Sequence, residues 1–354
     1  MLKIENLYKS YLPKGELSIS GCGTTIVEKY VDNSKFDNQF SVNDISISLK
    51  KNEILAILGE NGSGKSTLLK LIAGLLQPDF GKITLNHKLV GGPETKLVAG
   101  HENIKLIHQN YNLFPNISLA DNICYAMRFF SASYQAQKLA ELLDVCDLKE
   151  ISHKLPRETS GGEQQRTAIA AALSTNIDLL LLDEPFSNLD VFTKEGLKEY
   201  IRRISRRMGV SIIFVTHDAQ DALSVATEVA VIRKGKILQI DTPQNIYHKP
   251  LSDYVAGITG IFNSLNTRLL KQIYTVNSHT TYGIRPENIW LSNEADYSFV
   301  GVVKHCTFHG SYYTIIVEVS KNFSVTIFSN NETLAAGQAV YLKLDESKIV
   351  SLLK

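Results

Sequence analysis

The sequence predicts an α/β fold, with a largely parallel sheet covered by helices on both faces, followed by a small all-β domain. Three observations predict it. The apolar run Ile54–Leu58 enters a glycine-rich turn and then a segment of helical period over residues 66–76. Two further apolar runs, over 178–182 and 211–215, each enter a polar loop. Beyond about residue 281 the apolar residues fall into period two.

Taken in order, residues 13–35 read as an insertion, with 17–20 and 24–30 flanking Gly21-Cys22-Gly23 as an extra hairpin. Residues 42–86 read strand, loop, helix, strand. Over 115–153 the spacing of Leu139, Leu142, Leu143 and Val145 is helical. Thr242-Pro243-Gln244 opens a short helical linker, with Pro243 suited to the first turn. In the last third, 313–319 and 323–328 flank Lys321-Asn322 as a hairpin, and Val340, Leu342 and Leu344 alternate with Tyr341, Lys343 and Asp345. The expected domains are 1–240, with 13–35 inserted and 110–160 helical, a linker over 241–262, and a barrel over 263–354.

Bulk properties narrow the function classes. A chain of 354 residues, 44% hydrophobic, can bury the cores of two or three domains. Lys plus Arg total 37 against 36 for Asp plus Glu, with no basic run, so nothing supports a nucleic-acid surface and no nucleic-acid partner is expected. Cys22, Cys124, Cys146 and Cys306 lack metal-ligand or disulfide spacing, which fits a reducing cytosol. Charges interrupt the first residues, Met1-Leu2-Lys3-Ile4-Glu5-Asn6, too often for a signal peptide. The apolar runs fall short of the roughly 20 residues that cross a bilayer. Any membrane role is therefore expected to come through a partner.

Gly59-Glu60-Asn61-Gly62-Ser63-Gly64-Lys65-Ser66-Thr67 has the phosphate-loop pattern, two glycines bracketing four residues before Lys and Ser. Leaving a strand and opening a helix, such a loop aims backbone N–H groups and a helix dipole at one anion. Lys65 is expected to reach the β- and γ-phosphates and Ser66 to ligate Mg²⁺. An ordinary glycine-rich turn is the bland alternative. Asp183 and Glu184 end the apolar run 179–182: Asp183 suits a metal, and Glu184 suits polarising the attacking water. Adjacent acids alone are usually a solvated strand end, but beside a phosphate loop they supply what hydrolysis of a triphosphate needs. Gln109 and His217 stand at similar strand ends. An amide can orient water and touch metal, and a neutral imidazole can donate to a γ-phosphate, although each alone reads as a capping or core polar residue. Parallel sheets gather ligand sites at the carboxyl ends of their strands. His305, Cys306 and His309 invite a metal reading, yet i and i+4 positions of a strand stand about 13 Å apart, so ordinary barrel polarity is preferred.

Thr159-Ser160-Gly161-Gly162-Glu163-Gln164-Gln165-Arg166 resembles the signature of ABC ATPases, Ser187-Asn188-Leu189-Asp190 resembles their D-loop, and His217 falls where that family keeps its switch histidine. The spacing from Gln109 to Ser160 suits the helical subdomain inserted there. Thr159 and Glu163 depart from the usual leucine and glutamine. Gly283-Ile284-Arg285-Pro286-Glu287-Asn288-Ile289 resembles the opening of the TOBE barrel of importer ATPases. The resemblance implies a P-loop NTPase of ABC type with an inserted helical subdomain, then a small all-β OB-like barrel with a regulatory role. It implies binding and hydrolysis of ATP with Mg²⁺ held by Ser66, Gln109 and Asp183, and catalysis by Glu184, His217, Gln109 and Lys65. It implies a head-to-tail homodimer in which Ser160, Gly161, Gly162 and Asp190 face the partner's phosphate loop. Tyr11 is the preferred adenine-stacking residue; Phe36 takes the role if the insertion precedes the adenine loop. Membrane permease subunits are expected near residues 113–118 on the cytoplasmic face, with an extracytoplasmic solute-binding protein acting indirectly. Ferric iron or a polyamine is the expected cargo. The rival functions are an exporter or soluble ABC ATPase, and a chain whose barrel mainly senses a ligand.

Overall fold

The computed structural model describes residues 1–11, 40–96, 98–108, 111–187, 189–265, 270, 281–321, 323–330 and 334–352. The hairpin expected within 13–35, and Phe36, Gln109, Asn188 and Asn322, lie outside the described residues. The chain forms two units, Met1–Pro243 and Gln244–Lys354.

In the first unit a six-stranded sheet has the order β10 (Lys236–Asp241), β9 (Glu228–Arg233), β3 (Ile54–Leu58), β8 (Ser211–Thr216), β7 (Leu179–Asp183), β6 (Ile104–Ile107). All pairs are parallel except the β9–β10 hairpin at one edge. β3 and β8 are buried along their whole length, as strands covered on both faces must be. A second sheet, fully antiparallel, joins β2 (Phe40–Leu49), β1 (Leu2–Ser10), β4 (Phe80–Leu85) and β5 (Lys88–Leu89) in that order. The sequence reading has no such sheet. Its pairing joins residues 2–10 to 40–49 and 80–85, and contacts that distant leave no local period. One apolar core contains Leu2, Ile45 and Ile83 from this sheet, Leu55, Leu181 and Val215 from the parallel one, and Leu68, Leu69 and Ile72 from α1 (Lys65–Ile72).

The helical stretch expected over 115–153 contains α2 (Leu119–Tyr125), capped by Ser118, and α3 (Ala132–Val145), capped by Ser131. α4 (Gly161–Leu173) precedes β7, α5 (Val191–Met208) lies between β7 and β8, and α6 (Ala219–Val225) follows β8.

The second unit begins one residue into α7 (Pro243–His248) and includes α8 (Asp253–Ile258), so much of the expected linker belongs to it. β11 (Asn263–Leu265), β12 (Thr281–Ile284) and β18 (Val350–Leu352) form one antiparallel sheet. β13 (Ile289–Ser292), β17 (Ala339–Leu344), β14 (Phe299–Phe308), β15 (Tyr313–Ser320) and β16 (Phe323–Ser329) form another. Both face one core that includes Ile284, Ile315, Val317, Ile327, Val340, Leu342 and Leu344, which is the expected period-two alternation. Arg285, 2% exposed, donates to the carbonyls of Tyr247, Ala256, Gly260 and Ile261 and to the Thr259 hydroxyl. A buried guanidinium thus satisfies the orphan carbonyls around the end of α8. Among the described residues no group of three His, Cys, Asp or Glu side chains is arranged to hold a metal.

Candidate nucleotide-binding site

Four adjacent strands, β3, β8, β7 and β6, point their carboxyl ends the same way. Register aligns Leu58 with Thr216, Val215 with Asp183, and Leu182 with Ile107. The residues that follow the first three are Gly59, His217 and Glu184, so the topology gathers the phosphate loop, the histidine and the strand-end acids at one end of the sheet. The neighbourhood of Gln109 itself lies outside the described residues.

The turn from β3 into α1 is held as a cradle. Gly64 has φ +103, and a Cβ there would lie 2.0 Å from the Ser41 carbonyl oxygen, so only glycine permits this approach to β2. The Gly235 amide donates to the Ser63 carbonyl, tying the loop to the β9–β10 turn. Lys65 Nζ donates to the carbonyls of Gly59 (2.8 Å) and Glu60 (2.9 Å), so the lysine folds back over its own loop. Burial lowers the Lys65 pKa, while Glu184, Asp183 and Glu60 oppose the shift. A cavity of about 440 Å³ is lined by Ser41, Asn61, Gly62, Gly64, Lys65, Ser66, Thr67 and Glu184. Ser41 was not foreseen: nothing in its local pattern marks a β2 residue as a wall of this loop.

Ser66 Oγ lies 3.2 Å from Asp183 Oδ1, so a helix hydroxyl and a strand-end carboxylate converge. These hard oxygen donors fit a divalent cation such as Mg²⁺. Glu184 takes φ +48, a left-handed conformation that costs a non-glycine residue about 1–2 kcal/mol and turns the chain sharply out of β7. Its carboxylate thereby meets His217, with Oε1 3.3 Å from Nδ1. Tyr11, with most of its ring in solvent, has its hydroxyl 3.4 Å from Thr67 Oγ1, which brings it to the start of α1.

The other predicted residues are not part of that cavity. Ser160 caps α4 through a capping box: its hydroxyl accepts from the Glu163 amide, and Glu163 Oε2 accepts from the Ser160 amide at 2.7 Å. Burial pushes the Glu163 pKa up, but the bonds from the Ser160 amide and hydroxyl outweigh it and leave the carboxyl below its ordinary value. Asp190 caps α5, accepting from the amides of Phe192 (3.0 Å) and Thr193 (3.1 Å). The two helix starts interlock, because a Cβ on Gly162 would lie 2.3 Å from Thr193 Cγ2. Ser160, Gly161, Gly162 and Asp190 therefore stand apart from the phosphate-loop cavity of their own chain.

The ABC transporter family model matches residues 42–187 and the TOBE domain model residues 282–352. Over 339 residues the chain is 33% identical to the sulfate/thiosulfate import ATP-binding protein CysA of Mesostigma viride, covering 89% of this chain and 95% of that one. It is 31% identical to the Fe(3+) ions import ATP-binding protein FbpC of Escherichia coli O157:H7, covering 80% and 85%. A bacterial ABC transporter cassette of dimeric structure shares the fold, with a TM-score of 0.54 at 24% identity over 69% of this chain and 99% of that chain. The chain belongs to the ABC transporter family. Within it, the chain is an import-type ATP-binding subunit, an ATPase. Among the described residues no helix is long and apolar enough to cross a membrane.

Proposed function

We propose that two copies of this chain associate head to tail, each closing its phosphate-loop cavity with the Ser160–Gly162 tip of the other, and that the ATP hydrolysed there drives solute import. The observation that carries this reading is the division of the motifs. Gly62, Gly64, Lys65, Ser66, Thr67 and Glu184 line one cavity, whereas the capped start of α4 lies outside it. A second copy is the simplest donor of the missing half.

In this reading the amides of residues 59–67, from Gly59, Glu60 and Asn61 through Ser63 to Thr67, cradle the phosphates, and Lys65 exchanges its two carbonyl partners for phosphate oxygens. Tyr11 stacks on the adenine, supported by its exposed ring and its position against Thr67. Ser66, Asp183 and Gln109 hold Mg²⁺, which when bound neutralises phosphate charge. Glu184 accepts the hydrogen bond of the attacking water, and His217, whose Nδ1 lies 3.3 Å from that carboxylate, turns its one N–H toward the γ-phosphate when nucleotide is bound. The partner's Ser160 hydroxyl and the amides of Gly161 and Gly162 stabilise the same phosphate, with Asp190 at the dimer seam. Loss of the γ-phosphate removes the charge that binds the halves.

The permease surface is proposed at residues 113–118. Asn122, 5% exposed, shapes that loop by accepting from the Phe114 amide at 2.8 Å and donating to the carbonyls of Phe114, Ile117 and Ser118. The Phe114 and Tyr125 rings meet edge to face at 4.6 Å and remain half exposed, with Phe129 86% exposed nearby in sequence. Such an apolar patch fits a helix of a membrane subunit on the cytoplasmic face. An extracytoplasmic solute-binding protein would then act only through that permease. Relatives named for sulfate and for ferric ion are about equally similar, which supports a cargo choice made by those other subunits. Ferric iron or a polyamine remains the proposed cargo.

Turnover and size-exclusion chromatography test the reading together. Glu184→Gln is expected to lower turnover at least 100-fold while ATP shifts the protein to a stable dimer, because binding survives and the water loses its acceptor. Lys65→Ala is expected to lose ATP-induced dimerisation as well. Near-normal turnover of Glu184→Gln would remove Glu184 from its role; a monomer at saturating ATP would remove the shared site.

A further inference from the structure

We propose that Lys194 is a positioning residue for catalysis, holding the loop that presents His217 to Glu184. The inference rests on the reading of Glu184 and His217 given above and adds a residue that none of the motifs contains.

Lys194 lies one turn into α5, four residues after its cap Asp190. Its Nζ is 2.8 Å from Asp218 Oδ2 and 2.8 Å from Asp221 Oδ1. Asp218 follows His217 directly and caps α6, accepting from the Gln220 amide at 2.8 Å, while its own amide donates to the Thr216 hydroxyl at 3.0 Å. The cation therefore pins the first turn of α6 at the residue next to the imidazole. Burial works against the charge of Lys194, but Asp218 and Asp221 together hold its pKa above the ordinary lysine value, so the tie is ionic.

These contacts close a ring. Glu184 leads through residues 185–190 into α5, Lys194 reaches Asp218, the chain steps back to His217, and Nδ1 returns to Glu184 Oε1 at 3.3 Å. Thr193, beside Lys194, is the residue packed against Gly162 at the start of α4. The cation thus ties the start of α5 to the histidine loop, and its neighbour Thr193 meets the capped α4 tip. An imidazole 54% exposed, on a loop with no cover of its own, gains a fixed position from that tie. Lys198 provides an internal control. Its Nζ is 3.2 Å from Asp221 Oδ1 and 2.8 Å from Glu195 Oε1, so it is bound to α6 and to its own helix without touching Asp218.

Steady-state ATPase kinetics on the full chain test the proposal. Lys194→Gln and Asp218→Asn are expected to lower kcat about tenfold or more with KM for ATP within about twofold, since misplacing a group whose interaction strengthens in the transition state costs turnover more than binding. Lys194→Arg should restore most of it, and Lys198→Gln should leave kcat near wild type even where the melting temperature falls. In a His217→Ala background Lys194→Gln should have no further effect. A full tenfold loss on top of His217→Ala, or a kcat for Lys194→Gln at the wild-type level, would overturn the role. If His217→Ala and Glu184→Gln themselves leave turnover intact, the site reading fails first, which separates the two outcomes.

Discussion

Glu163 occupies the residue position where charge and structure pull in opposite directions. As the third residue of α4 it completes the capping box of Ser160, and it is ionised because the Ser160 amide and hydroxyl stabilise its carboxylate. The same bond turns the Ser160 hydroxyl toward Glu163. In the proposed dimer that carboxylate would sit beside the partner's triphosphate, where a unit charge is worth on the order of 1 kcal/mol. Glutamine accepts the same amide bond without the charge. Glu163→Gln is therefore expected to keep the melting temperature within a degree or two and to lower, severalfold, the ATP concentration that half-saturates dimerisation. Titration followed by light scattering checks this; weaker dimerisation at unchanged stability would mean that the carboxylate contributes a contact rather than a repulsion.

At the scale of elements, the junction of α4 and α5 is the tightest point near the site. A methyl on Gly162 would lie 2.3 Å from Thr193 Cγ2, and Thr193 is not free to rotate because its hydroxyl donates to Asp190. Gly162→Ala is thus expected to destabilise the first unit by about 1–3 kcal/mol, the usual cost of an overpacked contact. Thr193→Ser removes the methyl and keeps the hydroxyl, so the double variant should recover most of that loss in urea unfolding. If Thr193→Ser recovers nothing, Gly162 is constrained by something other than this packing. The sequence shows Gly162 only as part of a motif that resembles a phosphate contact; its second role depends on two helix starts that are about 30 positions apart in the chain meeting in space. The same holds for Lys194 and for Ser41, whose partners come from other elements. By contrast, Lys65, Ser66, Asp183 and Glu184 were readable because strand, turn and helix follow one another locally, and the apolar runs fix which strand ends carry them. The left-handed turn at Glu184 was not readable, since its letter favours no such conformation.

For the whole molecule, the two units have separate apolar cores, one built around β3, β7, β8 and α1 and the other around β12 and β14–β17. The parallel sheet was legible from alternating strands and helices, and the second unit from its period-two strands. What the sequence did not carry was the antiparallel sheet of the first unit and the membership of α7 and α8 in the second. Arg285 is what secures those helices, through bonds to four carbonyls and a hydroxyl with no carboxylate among them. Removing it leaves several buried acceptors unsatisfied at about 1–3 kcal/mol each, so Arg285→Gln is expected to destabilise the second unit by about 3 kcal/mol or more. Nucleotide acts on the other core: at one hundred times its Kd it stabilises the unit that binds it by about 2.7 kcal/mol. Calorimetry of wild type and Arg285→Gln, with and without ADP, should therefore resolve two effects. Arg285→Gln should lower one transition, ADP should raise the other, and the ADP shift should be the same in both proteins. An ADP shift abolished by Arg285→Gln would mean that the second unit supports nucleotide binding, and the division of labour between the two cores would have to be given up.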